Sequence, residues 1–247
     1  MVPATVLGKA LAVLQAFTVE DTELGFAELG RRTGLAKATL HRTLAELVEH
    51  RLLERPDGRY RLSGLVFELG MRAAVERSLL EVAAPYLEDL YERTHETVHL
   101  GVREGTEVVY VAKTGGHRQV DAPSRVGGRM PLHATAIGKV LLAHAGEEVR
   151  EQVLGSPLPR RTPRTIANTD VLRRQLDRAL ADGVALEHEE SAVGVTCVAA
   201  IVAGPGGAHA AVSVTGPVHR FEPRRHVEAV RAAGAGIAAM LARRRSS

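Results

Sequence analysis

The residues best placed to do chemistry in this chain lie between Lys37 and Arg61. Lys37, Thr39, His41 and Arg42 fall within about two helical turns. Leu40, Leu44, Leu47 and Val48 follow the offsets i, i+4, i+7 and i+8, which line the opposite face. A guanidinium on the outer side of such a helix can hold guanine through two hydrogen bonds, and hydroxyl or imidazole groups beside it reach base edges or phosphate. Thr39, His41 and Arg42 are therefore the expected base-edge or nearby phosphate contacts. Lys37 at the helix start and Arg59 farther on are expected on phosphates. From Arg31 to Arg61 eight Lys or Arg stand against four acids, a local net of +4, while the whole chain carries only +3. The basic excess thus sits beside a groove-sized helix, as nucleic-acid binding requires.

Other candidate chemistry is weaker. Cys197 is the only cysteine, so no intramolecular disulfide or cysteine zinc cluster can form. Within a nearly continuous apolar run it reads as a small buried hydrophobe rather than a nucleophile. Gly138-Lys139 has His133 and Val140 where a phosphate-binding loop needs Gly and a hydroxyl residue. His95, His99, His117 and His133 follow no known metal-ligand spacing. His188-Glu189-Glu190 reads as a solvated strand end, and Arg243-Arg244-Arg245 as a mobile charged terminus. No catalytic constellation emerges, so the expectation is a binding protein, not an enzyme, without metal or cofactor.

The elements that position the basic residues follow from periodicity and punctuation. Phe26 and Leu29 anchor a short helix, Gly34 supplies a turn, and the helix carrying Arg42 follows. Helix, Gly-containing turn and helix place the second helix in a major groove. Leu52–Arg55 and Arg59–Leu62 flank Pro56-Asp57-Gly58, the signature of a β-hairpin, which here would be a wing. Ahead of them, Val6–Phe17 should be a helix with Leu7, Leu11 and Leu14 inward and Ala10 beside them. Ser63 is the expected cap of a helix over Gly64–Arg77. Its Leu62, Val66, Leu69 and Ala73, spaced 4, 3 and 4, suggest a short seam for a partner subunit.

Beyond residue 77 the pattern changes. Ser78–Thr94 reads as a helix. Thr97–Val102, Glu107–Ala112 and Gln119–Ala122 read as strands, and Gly127–Leu132 as a loop. Helices are expected over Ala134–His144, Glu147–Leu154 and Asp170–Asp182, with the proline-bearing stretch Ser156–Thr165 irregular. Val184–Glu189, Val195–Val202 and His209–Thr215 follow as strands, the second of them central, turned by Gly204-Pro205-Gly206-Gly207. A helix over Pro223–Arg243 closes the chain. An apolar share of 45% allows a proper core, and no apolar run reaches membrane-spanning length. The start of the chain lacks a continuous apolar signal region, so the expected location is the cytoplasm.

Three stretches carry a resemblance to a known family: GLAKATLHRTL (34–44), RMPLHATAIGKVLLA (129–143) and EESAVGVTCVAAIVAGPGGAHAAVSVTGP (189–217). Over almost its whole length the chain resembles the IclR-type bacterial transcription regulators. The resemblance implies an α+β two-domain fold: a winged helix-turn-helix over 1–63, a linker helix over 64–77, and over 78–247 a GAF-like effector-binding domain with a mixed sheet and flanking helices. It implies a homodimer, or a dimer of dimers, bound to double-stranded operator DNA. It also implies a small-molecule effector, a carboxylate metabolite, in a pocket lined by Met130, Ala136, Ile137, Glu187, Cys197, Ser213 and Thr215. Elementary geometry is compatible with that pocket. Thr135–Ile137 open a helix, where free N–H groups can receive a carboxylate. Ser213 and Thr215 lie two apart on a strand and face the same side. The chain departs from the family at Ala36, commonly Pro, at Ala38, often Ser, and at Glu187, Asp in some relatives. The alternative kept open is an architectural DNA-binding protein that takes no ligand.

Overall fold

The computed structural model describes residues 5–72, 74–115, 122–204 and 207–245. The chain divides into two compact units, Met1–Arg77 and Ser78–Ser247.

The first unit holds α1 (Val6–Gln15), α2 (Phe26–Thr33), α3 (Lys37–Glu49), the two-residue strands β1 (Leu53–Glu54) and β2 (Arg61–Leu62), and α4 (Gly64–Met71). Its core is Val13, Leu24, Leu29, Leu35, Leu40, Leu44, Leu47, Leu53 and Tyr60. The α3 periodicity therefore points inward as expected. Gly34 ends α2 in the left-handed conformation (φ 65°), which reverses the chain into α3. In the wing, Asp57 and Gly58 both take positive φ (47° and 80°), and the Arg59 N–H donates to the Pro56 carbonyl at 2.9 Å. That is the turn whose twist suits a two-residue hairpin connection. The ladder is shorter than the sequence suggests, and Leu24 bridges Tyr60 as a third edge.

Three expectations for this unit are corrected. On α1 the inward residue is Val13, with Ala10 and Leu14 packed against the core, while Leu7 is 70% exposed and Leu11 also faces out. Both apolar rows occur in the sequence, and packing selects the one containing Val13. Ser63 does occupy the N-cap position of α4, but its hydroxyl donates to the Arg51 carbonyl rather than capping. The next helix, α5 (Ala74–Thr94), begins before the break expected at residue 77. Ala73 of the proposed seam lies outside the described residues.

The second unit is a six-stranded sheet flanked by helices. Its strands are β3 (Thr97–Glu104), β4 (Glu107–Thr114), β5 (Arg129–Pro131), β6 (Val184–His188), β7 (Val195–Gly204) and β8 (Gly207–Pro217), in the order β5-β4-β3-β8-β7-β6. Every pairing is antiparallel, so the sheet is not mixed. β7 is interior but not in the middle; β3 and β8 hold that place. β5 forms where a loop was expected, by pairing Met130 with Val108. The strand expected over Gln119–Ala122 lies outside the described residues except for Ala122, which is not in a strand.

Both faces of this sheet are covered. Cys197 and Ala199 point to α6 (Ala136–Ala143), α7 (Glu147–Leu154) and α8 (Thr169–Asp182). Val198, Ala200 and Val202 point to α5 and α9 (Val227–Arg245). The period-two alternation of a strand thus feeds two cores. The terminal arginines are helical rather than a loose tail, and Arg244 pairs with Glu81 at 2.8 Å.

Candidate functional site

On α3, Lys37, His41 and Arg42 are exposed and Thr39 is half-buried, all on the side away from Leu40, Leu44 and Leu47. Neither Lys37 nor Arg42 is ion-paired among the described residues. The His41 ring lies 6.4 Å from that of Phe26, so it is braced against α2. Arg59 stands on the wing half-exposed, but it is tied to Glu23, whose carboxylate lies at 3.5 Å and whose carbonyl accepts at 3.1 Å.

The basic patch is smaller than its residue count. Arg31 pairs with Glu28, Arg32 with both Asp21 and Glu28, and Arg61 with Glu54. Arg55 lies 5.2 Å over the Tyr60 ring. Glu23, Glu28 and Asp21 precede the counted window, which is why the count overstates the free charge. The charge left uncompensated is centred on the start of α3.

In the second unit, α6 lies across the sheet and its N-terminus closes a small cavity. All seven residues implied by resemblance line it: Met130, Ala136, Ile137, Glu187, Cys197, Ser213 and Thr215. Across three neighbouring strands Glu187, Cys197 and Thr215 stand in register on one face. Thr135 caps α6, accepting from the Gly138 N–H at 2.9 Å. The N–H groups of Ala136 and Ile137 find no acceptor among the described residues. Gly138 permits this approach, since a Cβ there would sit 2.3 Å from the Leu132 carbonyl oxygen. Two orphan donors at a helix N-terminus form an anion-receiving corner.

The structure adds residues that the sequence did not single out for this cavity, His99, Tyr110 and Ser124, and places Thr135, expected at the helix start, beside them. His99 is buried. Its Nε2 lies 2.7 Å from the Ser124 hydroxyl and its Nδ1 3.4 Å from Thr215 Oγ1. Burial, with Lys113 nearby, lowers it to about 3, so the ring is neutral. The Thr215 hydroxyl in turn donates to Cys197 Sγ at 3.0 Å. Burial, with Glu187 close by, pushes the Cys197 thiol up to about 12. A thiol kept un-ionised beside an imidazole too weakly basic to take its proton is not an activated nucleophile. They form instead a chain of neutral donors and acceptors suited to orienting a polar guest. The signal for His99 was present in its phase with Gly101 along β3, but a lone strand histidine carries no assignment by itself.

The cavity is tight. Its free volume is about 20 Å³, room for about one water molecule. A larger guest must push its walls apart. Behind it, sharing Glu187 as a wall, opens a wider cleft of about 660 Å³ between α8 and the edge strand β6.

The wall of the wide cleft includes a buried ion pair. Lys139, 1% exposed, donates to Glu190 at 2.5 Å and to Gln175 at 2.7 Å. Of the expected solvated strand end, Glu190 is instead interior and Glu189 half-buried, while His188 is exposed. Burial lowers the Lys139 pKa while Glu190 holds it up. Among the described residues no group of three His, Cys, Asp or Glu could hold a metal, and no helix is long and apolar enough to cross a membrane.

Comparison with known proteins places this geometry. Residues 71–239 match the family model described as the bacterial transcriptional regulator IclR C-terminal, and residues 6–57 match the IclR helix-turn-helix domain. The transcriptional regulator XynR of Escherichia coli is 38% identical over 194 residues, 77% of this chain and 77% of its own. KdgR of the same organism is 34% identical over 226 residues, 90% of this chain and 86% of its own. A crystal structure of an IclR homolog from Microbacterium hydrocarbonoxydans, complexed with 4-hydroxybenzoate, superposes with a TM-score of 0.91 at 36% identity. The match covers 98% of this chain and 100% of that one.

Proposed function

This chain belongs to the IclR family of bacterial transcriptional regulators, and from that premise we propose how it reads DNA and what it senses. It is a ligand-responsive, DNA-binding regulator. Residues 1–63 are the reader, 64–77 the linker and 78–247 the receptor. Thr39, His41 and Arg42 meet base edges or adjacent phosphate, while Lys37 and Arg59 position the unit on phosphate. Arg59 must exchange Glu23 for phosphate when it does so.

The receptor takes a small organic acid. The single observation that carries this is the convergence of two orphan N–H groups, at Ala136 and Ile137, with the hydroxyls of Ser213 and Thr215 on one cavity. The acid held by the Microbacterium homolog supports the same class. The acceptor-and-donor chain without an ionised nucleophile supports binding rather than turnover. The protein works in the cytoplasm, where operator DNA is.

The operator-bound form is a homodimer, since one recognition helix per half-site reads successive major grooves. Exposed Val6, Leu7 and Leu11 on α1 and Phe67 and Leu69 on α4 support a self-association surface. A monomer by analytical ultracentrifugation at micromolar concentration would remove this part. The acid acts only if it binds the DNA-competent and incompetent arrangements with different affinity.

Ser213→Ala should lower the affinity for the acid about three- to tenfold, the loss of an ordinary hydrogen bond, and leave operator affinity unchanged. Calorimetric titration of the parent and the variant checks it; an unaltered Kd takes Ser213 out of the site. The tightness of the cavity favours one rival, an architectural DNA-binding protein with no ligand. A thermal-shift screen of carboxylates in which no compound raises Tm would favour that rival.

A further inference from the structure

Glu187 separates the small cavity from the wide cleft. It is 2% exposed. Its Oε1 accepts the N–H of Glu190 and, at 3.0 Å, that of Ser191. Its Oε2 has no hydrogen-bond partner among the described residues. The described lining of the cavity includes no Lys or Arg. The Lys139 ammonium does not line it and is committed to Glu190 and Gln175.

An acid entering here therefore meets a carboxylate wall and no paired cation. The Ala136 and Ile137 N–H groups and the surrounding hydroxyls can hold a single negative charge. Two carboxylates confined in a dry site cannot both ionise; one of them keeps its proton.

We infer that Glu187 is the specificity-determining group of this cavity: it shares a single proton with the guest, so that a monocarboxylic acid binds with proton uptake and a dicarboxylate is refused. The inference rests on the proposed acid-binding function. Only an O–H bond forms, on the shared pair of carboxylates, and the proton comes from solvent.

The groups around Glu187 fit this. Lys139 on α6 attracts its negative charge and Glu190 in the β6–β7 connection repels it. Tyr110 on β4, Cys197 on β7 and His99 on β3 are neutral near pH 7. Arg161 reaches the Ser191 carbonyl at 3.4 Å. Across the cleft stand the basic residues Arg178, His188 and Arg224 and the acids Asp182 and Glu222. Burial raises Glu187 to about 7 in the empty site, with Glu190 adding to the rise. Above that value the empty site must regain a proton to bind, and below it the proton is already in place. Affinity should therefore fall as pH rises above about 7, approaching tenfold per pH unit.

Calorimetry of the full chain with benzoate, 4-hydroxybenzoate and pyruvate, each in two buffers of different ionisation enthalpy, tests this. The expected result near pH 8 is uptake of about one proton, shrinking toward none near pH 6. Glu187→Gln should bind with no proton uptake and a pH-independent Kd. Terephthalate should bind at least about tenfold more weakly than benzoate. Binding without buffer dependence by the parent protein overturns the proton-sharing role and leaves the acid site intact. Absence of binding by all three acids overturns the acid site and this inference with it. The parent's buffer dependence stands as a test even if Glu187→Gln does not fold.

Discussion

Lys139→Met destabilises the receptor unit by about 3–5 kcal/mol. The ammonium is almost wholly enclosed and donates to both Glu190 and Gln175. Met fills a similar volume, so the loss comes from Glu190, left buried and without its counter-charge. Glu190 Oε2 already has no hydrogen-bond partner, so it has little with which to compensate. Adding Glu190→Leu to Lys139→Met should recover most of the stability, because a buried pair replaced as a whole by apolar residues is often neutral or better. Urea denaturation of the parent, the single variant and the double variant measures the cycle. Equal midpoints for parent and single variant would mean that the pair is not holding this core together.

Arg42→Ala weakens operator binding by about tenfold or more per half-site, the value of a bidentate guanine contact at roughly 1–3 kcal/mol. The side chain is exposed on α3, away from the leucines that fix the helix, and no acid among the described residues competes for it. Its removal should therefore relax discrimination at a single base position and leave folding untouched. Lys37→Ala should differ in kind, weakening all sequences alike and flattening the salt dependence. Fluorescence anisotropy on an operator and its single-base variants separates the two behaviours. Equal affinity of Arg42→Ala and parent for the operator would remove Arg42 from the reading surface.

What could be read from the residues was whatever depends on near neighbours in the chain. The leucine spacing of α3 and the Asp57-Gly58 turn needed no tertiary information, and both are as expected. Near-neighbour patterns failed where they offered two answers. On α1 the row through Leu7 and Leu11 and the row through Ala10 and Val13 are both apolar, and only the surrounding core decides between them. β5 is three residues long and exists because Val108 pairs with Met130. The Lys139–Glu190 pair joins residues 51 apart, and Ser124 meets His99 across 25. No spacing rule reaches that far. The seven cavity residues came from the family likeness, not from periodicity, and the polar chain through His99 came only from the folded sheet.

The alternation along β7 has a consequence for how such a receptor can change its preference. Odd-numbered positions, Cys197 and Ala199, look toward α6 and the small cavity; even-numbered ones, Val198, Ala200 and Val202, anchor the opposite layer. Inheritance can therefore rewrite taste and scaffold on separate tracks of the same ribbon. With the small cavity as the proposed effector site, substitutions at 197 would retune what is recognised while the valines next door keep the architecture standing, so new ligands become reachable in small steps without rebuilding the molecule.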